Sequence, residues 1–377
     1  MKYCRMIILA LFMAGVLLFA AGCSGGSSPP GEQDPSGKKD TAEETASVRD
    51  LPEDASTEPS DQTEPDTEGG ESISFTMYFV DPDSSPYAEG GRKIAELVSE
   101  ATDGRIRIRV EAGSEMGERE LVERAMDGEL DIATCANSVL TNYIPQMNIL
   151  DQAYLWENAQ EAHAAVDGRL GNLIRERALT LGLHVIGFEE SGFRNTFSTK
   201  PIEKIDDFRG ITIRTMENKY HQAVFEAFGA NPIAMPYPEV MDALREGKIN
   251  ACENATANCL NSGYYEVTKH ITNTRHAFIY IILLMSENAW ERIPEDLTGT
   301  FMDAVQEGVE WERNRLVESN EEVRGELEAL GVSFHEIDVS ELKAAYQEIA
   351  REKGFMFDPE WAGAVNEAIR EAAEARE

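Results

Sequence analysis

The chain has 377 residues, with 69 acidic against 34 basic side chains and a formal net charge of −35. That balance excludes nucleic acid as a partner, and the length exceeds what one hydrophobic core usually organises. A generally acidic surface repels anions at long range, so any acid this chain holds must be captured by a local basic site.

Lys2 and Arg5 precede an apolar stretch from Met6 to Phe19, followed by Ala20-Ala21-Gly22-Cys23. This pattern predicts an export signal with a small-residue cleavage region, too short and wrongly flanked for a permanent spanning helix. A cysteine directly after Ala-Ala-Gly looks like a bacterial lipoprotein signal, so residues 1–23 are read as signal plus a lipidated Cys23. From residue 24 to 72 the chain is rich in Ser, Gly, Pro and Thr, with 14 acidic residues against Lys38, Lys39 and Arg49. Such a segment has too little apolar surface to offset its ordering entropy and is expected to be a disordered tether. Its root-mean-square reach as a flexible chain is roughly 40 Å.

Residues 73–377 form the expected folded part. Ile73, Phe75, Met77 and Phe79 alternate with polar neighbours, which predicts a half-buried strand ended by Asp81-Pro82-Asp83. Ile94, Leu97, Val98 and Ala101 recur at helical spacing, and Ile106, Ile108 and Val110 alternate again, completing a β-α-β unit. A helix near residues 118–127, a strand 131–135 and a helix from about 159 to 181 follow. Strands are expected at 183–188, 211–214 and 249–252, then a long amphipathic helix from Leu297 to Leu330 and two shorter ones near Glu341 and Glu360. The class is therefore α/β, with parallel strands joined by helical crossovers. In such sheets ligands sit beyond the carboxyl ends of strands. The segments 135–138, 189–195, 214–218 and 252–254 are placed there.

Within those segments two arginines stand out. Arg214 ends the strand Ile211-Thr212-Ile213-Arg214, and Arg194 lies in Gly192-Phe193-Arg194-Asn195. A guanidinium held at a strand end is a preorganised fork for a carboxylate, although such an arginine is also commonly a surface charge or an internal ion pair. Glu189 and Glu190 read as solvated or ion-paired carboxylates, or as acceptors for a ligand amine or hydroxyl. Cys135, Cys252 and Cys259 are an odd set whose pairing the spacing leaves open. Without clustered histidines they predict neither a zinc site nor any other metal or cofactor.

Taken together, these residues resemble the solute-binding proteins of TRAP transporters, the DctP family. The resemblance is carried by Asp127-Gly128-Glu129-Leu130-Asp131-Ile132, Gly192-Phe193-Arg194-Asn195 and Asp207-Phe208-Arg209-Gly210-Ile211-Thr212-Ile213-Arg214. It continues through the run from Phe228 to Val240, Cys252-Glu253-Asn254 and Ile293-Pro294-Glu295-Asp296-Leu297. It implies a two-lobed, periplasmic-binding-protein-like fold of type II kind with a hinge and a long interdomain helix. The implied lobe I is about 73–191 plus 280–319, and lobe II about 192–279 plus 320–377.

The same resemblance implies that Arg214 clamps the ligand carboxylate, with Arg194 as a second arginine. Tyr237 falls where the family often packs phenylalanine on the ligand, Asn254 matches a hydrogen-bonding asparagine, and Asn137 lies at a position that is often polar. Cys252-Glu253-Asn254-Ala255 departs from the family's Gln-Glu-Asn-Pro. The implied role is an extracytoplasmic binding protein that closes on a small organic acid (a C4-dicarboxylate, hydroxy acid or sugar acid) and delivers it to a membrane permease; with the lipoprotein signal read above, it is expected to be a lipid-anchored monomer. A binding lipoprotein serving a sensor kinase, or an exported hydrolase, is the alternative. The chain contains no Gly-x-Ser-x-Gly elbow, His-Glu-x-x-His or P-loop to support the hydrolase.

Overall fold

The computed structural model describes residues 72–376. The signal segment, Cys23 and all but the end of the acidic tether lie outside the described residues. Nine strands form one mixed sheet: β1 (Ile73–Tyr78), β2 (Ile106–Glu111), β3 (Ile132–Ala136), β4 (Leu183–Ser198), β5 (Thr212–Thr215), β6 (Asn231–Ala234), β7 (Ala251–Asn254), β8 (His270–Ser286) and β9 (Ser333–His335). Their order is β2-β1-β3-β8-β4-β7-β5-β6, with β9 on β8.

The expectation of parallel strands holds at the two ends of this order, where β1 pairs with β2 and β3, and β5 with β6 and β7. It fails in the middle. There β4 and β8, of 16 and 17 residues, run antiparallel through the whole molecule. The segment 189–195, expected as a loop beyond a strand end, is inside β4. The strand β8 carries the continuous apolar run Phe278 to Met285, which lacks alternation because both of its faces are covered. Tyr280, Ile282 and Leu284 enter one core layer, and Ile279, Ile281, Leu283 and Met285 the opposite one.

Two further core layers cover the other half of the sheet, one around Phe197, Cys252 and Ile271 and one around Ile213, Phe225 and Phe228. The molecule thus has two halves joined by the crossing strands. The helix Thr298–Ala329 spans both, with Phe301, Val305 and Val309 in the first half and Val323 and Leu327 in the second. The helix expected at 159–181 is two, Ala159–Asp167 and Arg169–Leu179, broken at Gly168. One boundary needs correction. The helix Pro359–Glu374, assigned to lobe II from the chain order, buries Trp361, Val365 and Ala368 in the first half's core. Its apolar face matches the helices of that half, and the chain crosses back to reach them.

Candidate functional site

The crossing strands floor a small cleft between the halves. From β4 come Ser191 and Arg194, and from β8 Ile279 and Ile281. The first half adds Val80, Asp81, Tyr87, Glu118 and Ala136. The second half adds Arg214, Met216, Tyr237, Asn254 and Asn258. Of the five ligand residues expected, the structure brings together Arg194, Arg214, Tyr237 and Asn254.

Asn137 is not among them. Its amide donates to Asp151 Oδ1 (3.2 Å) and its oxygen accepts from the Tyr280 backbone N–H (3.0 Å), so its side chain is committed to the fold beside the cleft.

The two arginines are equally buried but differently partnered. Arg194 is ion-paired through Nε with the Glu253 carboxylate, donates from Nη2 to the Glu253 carbonyl, and donates from Nη1 to Asn254 Oδ1 at 2.7 Å. Glu253 also meets His276 Nε2 at 3.2 Å. Burial alone would raise the Glu253 carboxyl, but Arg194 and the His276 hydrogen bond outweigh it and hold it well below the usual carboxylate range. Burial lowers His276, leaving it a neutral partner at ordinary pH. In Arg214, by contrast, Nε donates to the Met235 carbonyl at 2.9 Å, and no acceptor among the described residues meets either outer nitrogen. The strand β5 fixes its backbone and Met235 fixes its fork, which then opens into the cleft.

The sequence reading missed Asp81, Tyr87, Glu118 and Asn258, and it placed the segment 189–195 at the ligand without singling out Ser191. Asp81 lies in a segment read only as a strand break. Burial and the nearby Glu118 push its carboxyl up to about 7, opposed by a hydrogen bond from Tyr237 and by Arg194. Glu118 accepts the Ala136 N–H at 2.8 Å, yet burial still leaves its carboxyl raised. Tyr87 and Ser191 hydroxyls are 2.9 Å apart, and Asn258 Nδ2 donates to Tyr87 at 3.2 Å. The Tyr237 hydroxyl meets Ser262 Oγ at 2.5 Å. Asp83-Ser84-Ser85-Pro86, with Ser85 Oγ capping the helix Pro86–Ala101, is the one local signal that marks Asp81 and Tyr87 as ordered.

Beneath the cleft lies a second group of charges. Glu189 and Glu190 are neither solvated nor on the surface. Glu190 pairs with His163 at 2.6 Å, and its backbone N–H donates to Glu312 Oε2 at 2.8 Å. Glu189 is wholly buried and both of its carboxyl oxygens lack a partner, as does Glu312 Oε1. Burial and mutual repulsion raise Glu189 well above the usual carboxylate range, and burial raises Glu312 likewise. The pair packs on Gly90, where a Cβ would stand 2.4 Å from Glu189 Oε1 and 2.6 Å from Glu312 Cγ. Cys135, Cys252 and Cys259 are all buried and unpaired.

A two-lobed α/β molecule whose crossing strands floor a cleft holding an open arginine fork defines an extracytoplasmic solute-binding protein. The family model for bacterial extracellular solute-binding proteins, family 7 (DctP), matches residues 78–357, and the chain belongs to that family of TRAP transporter substrate-binding proteins. A solute-binding protein of Roseobacter denitrificans is 30% identical over 255 residues, covering 67% of this chain and 78% of the relative. One from Verminephrobacter eiseniae is 28% identical over 281 residues, covering 74% and 83%.

Among solved structures, the TRAP solute-binding protein of Polaromonas sp. bound to D-erythronate is 26% identical with a TM-score of 0.72, covering 78% of this chain and 97% of that one. The sugar acid binding protein of Advenella mimigardefordensis in complex with galactonate, at 23% identity, has a TM-score of 0.76 and covers 80% and 99%.

Proposed function

We propose that the protein captures a small organic acid between its lobes, with the carboxylate received by the outer nitrogens of Arg214, and delivers it to a TRAP permease. The observation that carries this reading is the contrast at the two arginines: one is saturated by the protein and the other is braced but open. A bidentate guanidinium–carboxylate pair is strong and directional. Burying the ligand's charge without it would be costly, so closure accompanies the acid that fills the fork. Asn254 supports the fork, because its oxygen is taken by Arg194 and the Ala255 N–H, leaving its amide hydrogens to a ligand oxygen. Tyr237 supplies a ring wall and Arg194 a braced support behind the ligand.

The relatives' ligands support the class. Aldonates and uronates are bound by structural neighbours, and the 25% identical relative from Escherichia coli is a 2,3-diketo-L-gulonate-binding protein. Lobe I is taken as residues 73–191 and 280–319 with the helix Pro359–Glu374, and lobe II as 192–279 and 320–358. Lipidation of Cys23 and the acidic tether would hold this monomer at the outer face of the membrane. Mass spectrometry of the membrane-extracted protein and of Cys23→Ser checks that part. A thermal-shift screen over an organic-acid panel tests the binding role, since a ligand at a hundred times its dissociation constant adds about 2.7 kcal/mol of stability. No shift with any carboxylate, in a protein that melts cooperatively, overturns it.

A further inference from the structure

Beside the open fork, the cleft carries two carboxylates that the protein itself does not neutralise. Asp81 and Glu118 both line it, and neither forms an ion pair among the described residues. The charges in the cleft can be counted. Arg194 and Glu253 cancel in their ion pair, and His276 is neutral. What remains is one guanidinium, Arg214, against two carboxyls. With Asp81 pushed up to about 7 and Glu118 raised, a ligand bearing only a carboxylate would be admitted only as those carboxyls take up protons, whereas a cationic nitrogen would be paired by them in their charged form.

We propose that the site selects acids that also carry a cationic nitrogen, the carboxylate resting on Arg214 and the nitrogen between Asp81 and Glu118. Those two residues are then the specificity-determining ones. This rests on the carboxylate-clamp reading of Arg214 and adds the second half of the ligand. Local geometry favours it. One Glu118 oxygen is occupied by the Ala136 N–H, which fixes the carboxyl and leaves the other oxygen for a donor. Asp81 lines the same cleft as Tyr237, whose hydroxyl is braced by Ser262 at 2.5 Å. The two carboxyls repel each other, and a cation between them turns that repulsion into two charge-assisted hydrogen bonds. Arg194 and Arg214 are the cations that face Asp81 and Glu118 from the crossing strand and the second half. Glu217 is a further anionic group near Glu118, and Glu189 one near Asp81.

The test compares acids matched in skeleton and differing only in amino against hydroxyl: alanine with lactate, serine with glycerate, aspartate with malate, and glucosaminate with gluconate. Titration calorimetry on the intact folded protein at several pH values reads both members of each pair. The expected result is that every skeleton that binds does so at least tenfold more tightly as its amino member. Asp81→Asn and Glu118→Gln should remove that preference without lowering the melting temperature of the ligand-free protein. Equal or tighter binding of the hydroxy member overturns the inference while leaving the clamp standing. In that case affinity should fall as pH rises, because the two carboxyls must take up protons to admit the acid. Binding of no member of any pair overturns the clamp and this inference together.

Discussion

Arg194 and Arg214 stand on neighbouring parts of one sheet, are buried alike, and face the same cleft, yet their surroundings differ in kind. Around Arg194 the protein has assembled a carboxylate, a carbonyl and an amide oxygen, with His276 behind the carboxylate. Around Arg214 it supplies one carbonyl, to the nitrogen that points away from the fork. A buried charge must be compensated by something. For Arg194 the compensation is internal and permanent, so it belongs to the fold. Arg214 shares the cleft with Glu118 and Asp81, but no acceptor among the described residues closes its fork, so the fork belongs to the function.

Separating the two roles needs variants that damage one without the other. Arg194→Ala should have the largest effect, because it leaves Glu253 buried without its counter-ion. A loss of about 3–5 kcal/mol in urea unfolding is expected, with binding reduced only as the fold fails. Arg214→Lys keeps the charge but loses the fork. Affinity for the bound acid should fall at least tenfold, about 1.4 kcal/mol, while the ligand-free protein melts unchanged; unaltered affinity in calorimetry would refute the role of Arg214. Tyr237→Phe removes the hydroxyl bonded to Ser262 and should cost about 1 kcal/mol in the same measurement.

The last variant reads the second buried charge group and is the smallest in mildly acid solution. Glu189 and Glu312 have folded-state pKa values above their unfolded ones. The unfolded chain therefore loses these protons first as pH rises. Their stabilising contribution is complete below the unfolded carboxyl pKa and is lost as pH climbs through the folded values. The melting temperature should decline toward alkaline pH, and Glu312→Gln should flatten that decline. A variant with the wild-type slope would show that these groups do not set it.

Much of this architecture was legible in the chain. Alternation in β1 and β2, the long helix and the strand bearing Arg214 follow from local periodicity, and they fall within a residue or two of the expected limits. The crossing strands did not, because β8 is covered on both faces and loses the alternation that marks a half-buried strand. The site divided the same way. Arg214 could be placed because its strand could be placed. Nothing local reveals that Glu253 neutralises Arg194, which joins residues 59 apart. Asp81 and Glu118 reach the cleft from separate elements, as isolated carboxylates in an acidic sequence. Asn137 was expected at the ligand from its position after β3, but its side chain is spent holding Asp151 and Tyr280.

The crossing pair has one more property. Its pairing slips at three places, between Val185 and Gly187, Glu190 and Gly192, and Arg194 and Thr196, and Gly192 takes φ +79. The first two slips each leave one β4 residue, Ile186 and Ser191, out of the ladder, and the third leaves out Asn195 on β4 and residues 273–276 on β8; such irregularities locally bend and twist the strand. Two of these slips bracket the segment that places Ser191 and Arg194 in the cleft. The joint between the halves and the ligand's floor are thus the same few residues. A change in what lies against β4 therefore acts on the joint itself.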